Sequence, residues 1–202
     1  MRAFVGVDVG EAMREEAARV IAAISDAITT TRTPPRVIWV SPRDLHVTLR
    51  FLGEISADVC AALRQRFEAP IPMEPFEVAW CGIGAFPSPR RPRALWMGLS
   101  DGATELGRLE SHVARTLDGH EHEEAGPFRP HVTLGRIKAD GAGVAWPAIL
   151  EHASVRGTRS AIDHVTLFQS HVTPRGSHYT ELTRAWLRGP SAGEPSPAGG
   201  RA

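Results

Sequence analysis

The sequence predicts an α+β fold, in which strands and helices occur in separate runs. Each half of the chain reads strand, helix, strands, helix, strand, an order typical of segregated sheet and helix rather than of a doubly wound parallel sheet. A length of 202 residues with 42% hydrophobic residues suffices for one substantial core. We expect one ordered unit over residues 1–188 and a disordered tail rich in Pro, Gly and Ser over residues 189–202.

The elements of the first half follow from hydrophobic spacing. Hydrophobic residues alternate with small or polar ones from Ala3 to Val9, which is typical of a strand. Apolar residues then recur at three- and four-residue spacings up to Ile28, which predicts a helix with one buried face. Two further strands and, after the break at Gly53, a second helix are expected at residues 37–40, 45–52 and 56–67.

The elements of the second half begin after a proline-rich break at residues 70–75. Extended, apolar runs predict five strands at residues 76–83, 94–99, 130–137, 161–168 and 179–187. Helical spacing predicts a long helix over 106–117 and a short one over 144–151.

Composition and charge exclude several classes of protein. Lys and Arg total 23 and Asp and Glu total 23, so a formal net charge of +0 gives no overall field toward duplex nucleic acid or an anionic membrane. No stretch approaches the ~18 apolar residues of a membrane span, and the residues after Met1 lack the apolar run of a signal peptide. Cys60 and Cys81 fit no CxxC metal site, and we expect reduced, mostly buried thiols. The sequence therefore predicts a cytoplasmic protein without membrane contact, and we expect it to be a monomer.

The tetrapeptide HVTL occurs at residues 46–49, 131–134 and 164–167, and the first two copies, each within an expected strand and each followed by a nearby arginine, are the candidate motifs. Alternate residues of a strand share a face, so His46 lies beside Thr48 and His131 beside Thr133. Two such strands side by side would place two imidazoles and two hydroxyls around one small anion. Histidine, with a pKa of about 6.5, can donate or accept a proton near neutral pH, and a threonine hydroxyl can donate to a phosphate oxygen. The pattern predicts acid and base catalysis of phosphodiester cleavage that needs no metal or cofactor.

An arginine follows each motif and could add a charge-assisted hydrogen bond to phosphate. Arg50 continues the face of His46 and Thr48, so strand alternation turns it toward the same pocket. Strict alternation turns Arg136 away from its motif, and only a bulge at Gly135 would bring it round. Both arginines are candidate phosphate ligands, and an exposed strand arginine is the alternative for Arg136.

The sequence H-V-T occurs at two further places, His164 and His171. His171 runs into Pro174, which cannot donate to a sheet ladder, so its pairing should end there. His164 and Thr166 lie in a good strand but lack a following arginine, and we expect a solvated or structural face.

Two loops offer further chemistry. The segment FPSPRRPR, residues 86–93, is a candidate RNA-contacting rim, in which Phe86 could stack on a base, or else a plain solvated loop. Its arginines are Arg90, Arg91 and Arg93. The segment HEHEE, residues 120–124, supplies metal-binding residue types, but its spacing fits neither a helical zinc site nor a zinc finger, so we expect a solvated charged loop.

The paired motifs resemble the two-histidine (2H) phosphoesterase superfamily, and within it the LigT-like RNA 2′,3′-cyclic phosphodiesterases, the 2′-5′ RNA ligase family. The likeness extends over nearly all of the ordered chain. The features that carry it are an opening strand that ends in Asp8, a later Tyr179, and the segments LHVTLRFLGE at 45–54, FRPHVTLGR at 128–136, WVSPRD at 39–44, GAFPS at 84–88 and LFQS at 167–170.

The resemblance implies a bilobal, pseudo-twofold fold with two mainly antiparallel sheets flanking a central cleft and helices outside. It implies metal-independent hydrolysis of an RNA terminal 2′,3′-cyclic phosphate to a 2′-phosphate. By motif position, His46 would protonate the leaving 3′ oxygen, His131 would activate water, and Thr48 and Thr133 would hold the phosphate. The substrate is then an RNA 3′ end or a small cyclic nucleotide.

Three alternatives share these residues. The same proton transfers would serve a phosphodiesterase for a small cyclic phosphate, such as ADP-ribose 1″,2″-cyclic phosphate, or a reversible 2′-5′ RNA ligase. A non-catalytic RNA-end-binding module would keep the pocket without turnover. The presence of both motif histidines favours an enzyme.

Overall fold

A computed structural model describes residues 1–120, 127–174 and 176–189. Within these residues the chain forms nine strands and four α-helices. The strands are β1 Arg2–Asp8, β2 Arg36–Trp39, β3 His46–Glu54, β4 Phe76–Phe86, β5 Ala94–Leu99, β6 His131–Ala139, β7 Arg159–Ile162, β8 His164–Thr173 and β9 Gly176–Trp186. The helices are α1 Glu11–Thr29, α2 Ala57–Arg66, α3 Ala103–Leu117 and α4 Trp146–His152, and a short 3-10 turn spans Pro42–Asp44.

The strands pair in the order β7-β4-β5-β6-β3-β1-β8-β9, and β2 pairs with β6. All of these strand pairings are antiparallel, which confirms the α+β prediction. The two expected sheets are joined into one curled sheet, because β3 and β6 meet at a single residue pair, Val47 with Val132. The chain thus has two halves of sheet with one narrow junction.

The core lies on one face of this sheet. The side chains of Val5, Val47 and Val132 are fully buried, and they belong to one apolar cluster with the inward faces of the helices. In α3 the buried residues recur at helical spacing, as the sequence predicts, and include Leu106, Leu109, Val113 and Leu117. Because alternate strand residues point to opposite faces, the histidines of β3 and β6 lie on the face away from the core.

Two predictions are wrong, one about a strand and one about the burial of a thiol. The run predicted as one strand over 161–168 is two strands, β7 and β8, which pair with different neighbours on either side of Asp163. Cys60 is buried as expected, whereas Cys81 on β4 is exposed. Most of the predicted tail lies outside the described residues.

None of the helices among the described residues has the length and hydrophobicity that crossing a membrane requires.

Gly6 permits the close packing of β1 on β3 next to His46. A Cβ atom at this position would lie 2.8 Å from the backbone oxygen of Val47, which cannot move without disturbing the strand pair. We expect Gly6→Ala to lower the free energy of unfolding by about 1–3 kcal/mol, measured by chemical denaturation. Gly107→Ala is the control, because nothing lies within 4 Å of its added Cβ on α3, and it should stabilise the chain by up to about 1 kcal/mol. Equal stability of Gly6→Ala and the wild type would contradict the packing.

Candidate active site

The HVTL segments at 46–49 and 131–134 meet at the junction of the sheet. Val47 pairs with Val132 in antiparallel register. On either side of this pair, the register sets His46 opposite Thr133 and Thr48 opposite the first residue of β6, His131. The structure therefore brings together the four residues that the sequence predicts, two from each half of the chain.

Each motif histidine is tied to the backbone two residues before it. The Nδ1 atom of His46 lies 2.8 Å from the carbonyl oxygen of Asp44, and the Nδ1 atom of His131 lies 2.7 Å from the carbonyl oxygen of Arg129. A carbonyl oxygen only accepts hydrogen bonds, so Nδ1 carries the proton in both rings. The Nε2 atom of each ring is left for proton transfer, and that of His46 is 3.1 Å from the Thr48 hydroxyl oxygen.

Aromatic rings enclose His46. Its ring centroid is 4.6 Å from that of Phe4 and 4.8 Å from that of Tyr179, which meets it edge-on, and Phe168 lies 6.0 Å away. The pKa of His46 is lowered to about 4, chiefly by burial and to a lesser extent by the charge interactions with His131 and Arg136. The Asp44 carbonyl and the Asp8 carboxylate act in the opposite direction. In the ligand-free protein His46 is therefore neutral at neutral pH.

A different set of rings borders His131. Phe86 meets this ring edge-on at a centroid distance of 5.1 Å, and Trp96 lies 6.2 Å away. Trp96 on β5 is directly opposite Thr133, so its side chain shares the face of the histidines. Phe86, which the sequence predicts as part of a substrate rim, thus lies at the candidate site.

The expectation for Arg50 is wrong. A bulge in β3 separates the pair Val5–Arg50 from the pair Gly6–Thr48, so Arg50 shares the face of the buried Val5. There its guanidinium forms an ion pair with Glu110 of α3. Arg50 therefore lies on the helix side of the sheet and is not among the candidate phosphate ligands.

Arg136, in contrast to Arg50, lies on the histidine face of the sheet. The register of β5 with β6 shifts between the pairs Trp96–Thr133 and Leu95–Gly135. This shift is a bulge in β6, and a bulge here is what the sequence requires for Arg136 to face its motif. After this bulge Arg136 lies opposite Ala94, on the face of Trp96 and Thr133. Its positive charge acts on both His46 and Tyr179, so Arg136 is the arginine that the structure brings to the site.

The arginines of the predicted rim differ in their surroundings. Arg90 and Arg91 are exposed, and no carboxylate in the described part of the chain forms an ion pair with them. Arg93 lies 3.7 Å from the carboxylate of Asp140. The backbone of the loop is closed by a hydrogen bond from the Arg93 amide to the Phe86 carbonyl, 2.6 Å, so the loop begins and ends beside Phe86.

The other two H-V-T segments lie on β8, which pairs with β1 and β9 and, among the described strands, with neither motif strand. His171 donates or accepts a hydrogen bond at Nε2 with the Thr180 hydroxyl, 3.1 Å, and its ring stacks on His178. β8 ends at Thr173, directly before Pro174, as predicted. His164 faces two carboxylates and belongs to neither motif pair.

Sequence reasoning did not assign four side chains that shape this site. They come from strands that carry neither motif, so no local pattern marks them, although a later Tyr and an opening strand ending in Asp were part of the family likeness. They are Phe4, Asp8, Trp96 and Tyr179.

The described residues contain no group of three or more His, Cys, Asp or Glu side chains placed to hold a metal ion. The HEHEE segment, for which a solvated loop is predicted, lies outside the described residues except for His120.

The chain is similar to known proteins over most of its length. The family model of the 2′-5′ RNA ligase superfamily matches residues 14–174. An RNA 2′,3′-cyclic phosphodiesterase from Archaeoglobus fulgidus is 32% identical over 182 residues, covering 90% of this chain and 98% of the relative. One from Aeropyrum pernix is 37% identical over 164 residues, covering 80% and 92%. The crystal structure of TT0787 from Thermus thermophilus has a TM-score of 0.74 at 28% identity, covering 94% of this chain and 99% of that one.

The charge environments predict opposite titration behaviour for two histidines. Burial should hold the midpoint of His46 near pH 4, whereas the Asp8 and Asp163 carboxylates raise the pKa of His164 above its ordinary value of 6.5. Between these values the ligand-free protein should contain neutral His46 and protonated His164. Histidine NMR titration, with signals assigned by His46→Gln and His164→Gln variants, measures both. A midpoint for His46 at or above 6.5 would contradict the aromatic enclosure.

Proposed function

The chain belongs to the 2′-5′ RNA ligase superfamily, and on that premise we propose that it hydrolyses the 2′,3′-cyclic phosphate at the end of an RNA to a 2′-phosphate. The observation that carries this proposal is the pair of backbone-tied imidazoles at the sheet junction. The two imidazoles lie on the same face of neighbouring strands, each two residues from the threonine of its own motif and opposite the threonine of the other. This is the set of groups that transfers one proton to, and one proton from, a phosphodiester.

The reaction needs one base and one acid. The neutral Nε2 of His131 takes a proton from water as the water oxygen attacks the phosphorus. The bond from phosphorus to O3′ breaks, and the protonated Nε2 of His46 gives its proton to O3′. The products are a 2′-phosphate and a free 3′-hydroxyl. After the reaction His131 is protonated and His46 is neutral, the reverse of their starting states.

Three side chains bind the phosphate in this scheme. The Thr48 and Thr133 hydroxyls donate to the non-bridging oxygens, and the guanidinium of Arg136 adds a positive charge where negative charge concentrates in the transition state. A bound phosphate anion also favours the charged form of His46, which burial disfavours in the free protein.

The rim favours a polymeric RNA over a small cyclic phosphate. Arg90 and Arg91 are exposed in a loop whose ends lie beside Phe86, and Phe86 borders His131. A small cyclic nucleotide would occupy only the junction, whereas an RNA chain extends beyond it and meets this loop. Exposed arginines next to an aromatic ring suit the phosphates and bases of a single strand.

Loss of either motif histidine should nearly abolish turnover. We expect His46→Ala and His131→Ala each to reduce kcat by about 10²- to 10⁴-fold, because each removes one proton-transfer route. The double variant should be little worse than the poorer single variant, because the two groups act as one unit. The assay uses a short RNA with a 2′,3′-cyclic end in the presence of EDTA and separates 2′- from 3′-monophosphate products.

His171→Ala is the matched control, since it removes an imidazole from another H-V-T segment that contacts Thr180 and His178, and its kcat should stay within a few-fold of the wild type. A folded His164→Ala variant without activity, together with an active His131→Ala variant, would show that the second histidine is wrongly assigned. A product ending in 3′-phosphate would contradict the proposed function itself.

Removal of the two rim arginines should distinguish long from short substrates. We expect Arg90→Ala/Arg91→Ala to raise KM for a cyclic-ended oligonucleotide by about tenfold and to reduce the salt dependence of kcat/KM, because two phosphate contacts are lost. Hydrolysis of a nucleoside 2′,3′-cyclic monophosphate should not change. Arg32→Ala/Arg64→Ala, two exposed arginines outside the rim, is the control. An equal effect on both substrates would contradict a rim that binds the RNA body.

A further inference from the structure

Asp8, the last residue of β1, is the direct cross-strand partner of His46. Residues directly opposite each other in an antiparallel pair place their side chains on the same face, so this carboxylate lies on the histidine face of the sheet. Its side chain is 26% exposed, which limits the screening of its charge by water. Neither HVTL motif predicts this neighbour, because β1 carries neither of them.

Two cations hold the Asp8 carboxylate, one at each oxygen. The guanidinium of Arg14 on α1 lies 3.3 Å from Oδ1, and the Nε2 atom of His164 lies 3.6 Å from Oδ2. The Nδ1 atom of His164 is in turn 2.6 Å from a carboxylate oxygen of Asp163. Burial alone would raise the pKa of Asp8, but His164 and Arg14 outweigh it and lower the pKa, so the carboxylate stays ionised.

His46 needs a negative neighbour to serve as the acid. Its ring is enclosed by Phe4, Phe168 and Tyr179, and the charged groups that face it from β6 are the cationic Arg136 and the titratable His131. The turn before β3 contributes the Asp44 carbonyl to Nδ1. From β1 comes Asp8, a carboxylate whose charge favours the imidazolium form.

We propose that Asp8 is a positioning residue for the proposed reaction, whose carboxylate enables His46 to carry the proton that it delivers to O3′, and that His164 and Arg14 fix this carboxylate in place. The inference rests on the proposed function, since it concerns the acid of that reaction. It also assigns a role to the third H-V-T segment. Both ring nitrogens of His164 face carboxylates, so His164 secures the counter-charge of the first motif and is not a second base.

The test removes the charge of Asp8 and observes His46 directly. In Asp8→Asn the protonated fraction of His46 at pH 4.0, measured by histidine NMR on the free protein, should fall from about one half to between about a tenth and a quarter, because the loss of a nearby anion lowers a histidine pKa by about 0.5 to 1. The value of kcat/KM at pH 7 for the cyclic-ended RNA should fall about three- to tenfold, because the same lowering of the His46 pKa reduces the fraction of enzyme with a protonated His46. Asp8→Glu keeps the charge and should restore more than half of both.

Asp118→Asn is the control. It also removes an ion-paired carboxylate, 3.4 Å from Arg66, at a left-handed position where Asn is well tolerated, and it should change neither measurement. An unchanged His46 titration in folded Asp8→Asn would overturn the proposal, even if activity fell, because the role of Asp8 would then be structural. If the wild type failed to open the cyclic phosphate, the proposed function would be wrong, and the titration would still report separately on the coupling of Asp8 to His46.

Discussion

A single antiparallel pair, Val47 with Val132, joins the two halves of the curled sheet. Both side chains are fully buried in the apolar core, so packing on the helix face of the sheet stabilises the junction. The neighbouring residues of each strand then face each other across the boundary, and the distance between the two motifs is set by strand spacing, about 4.7–4.9 Å, rather than by the reach of flexible side chains. Every proposed contact with phosphate depends on this pairing.

Strand alternation predicts much of the site, and its failures have one cause. His46, Thr48, His131 and Thr133 lie where period-two alternation puts them, because each motif precedes the first irregularity of its strand. Beyond that point each strand has a bulge, which reverses the faces that alternation predicts for the residues that follow. Arg50 is thereby turned to the helix side, and the sequence contains no local signal for that bulge. The bulge in β6 coincides with a glycine, which made it possible to foresee.

Identical tetrapeptides acquire different chemistry from their neighbours. His46 is enclosed by rings and lies beside a carboxylate, whereas His131 is bordered edge-on by Phe86 and Trp96. These neighbours come from strands that are distant in the sequence, so no local pattern could have distinguished an acid from a base. The helices and most strands, in contrast, follow from local periodicity, and the one strand that was wrongly joined, 161–168, has a continuous apolar pattern across a change of partner.

The anchor of each motif imidazole is a main-chain oxygen, that of Asp44 or of Arg129. A substitution at either position alters the side chain and leaves this acceptor in place, provided that the backbone keeps its path. The ring orientation can therefore persist through sequence divergence at these two positions, where a side-chain acceptor would be lost with one mutation. A motif written in residue letters records the histidine but not its anchor, so the preceding two residues matter for their conformation and not for their identity.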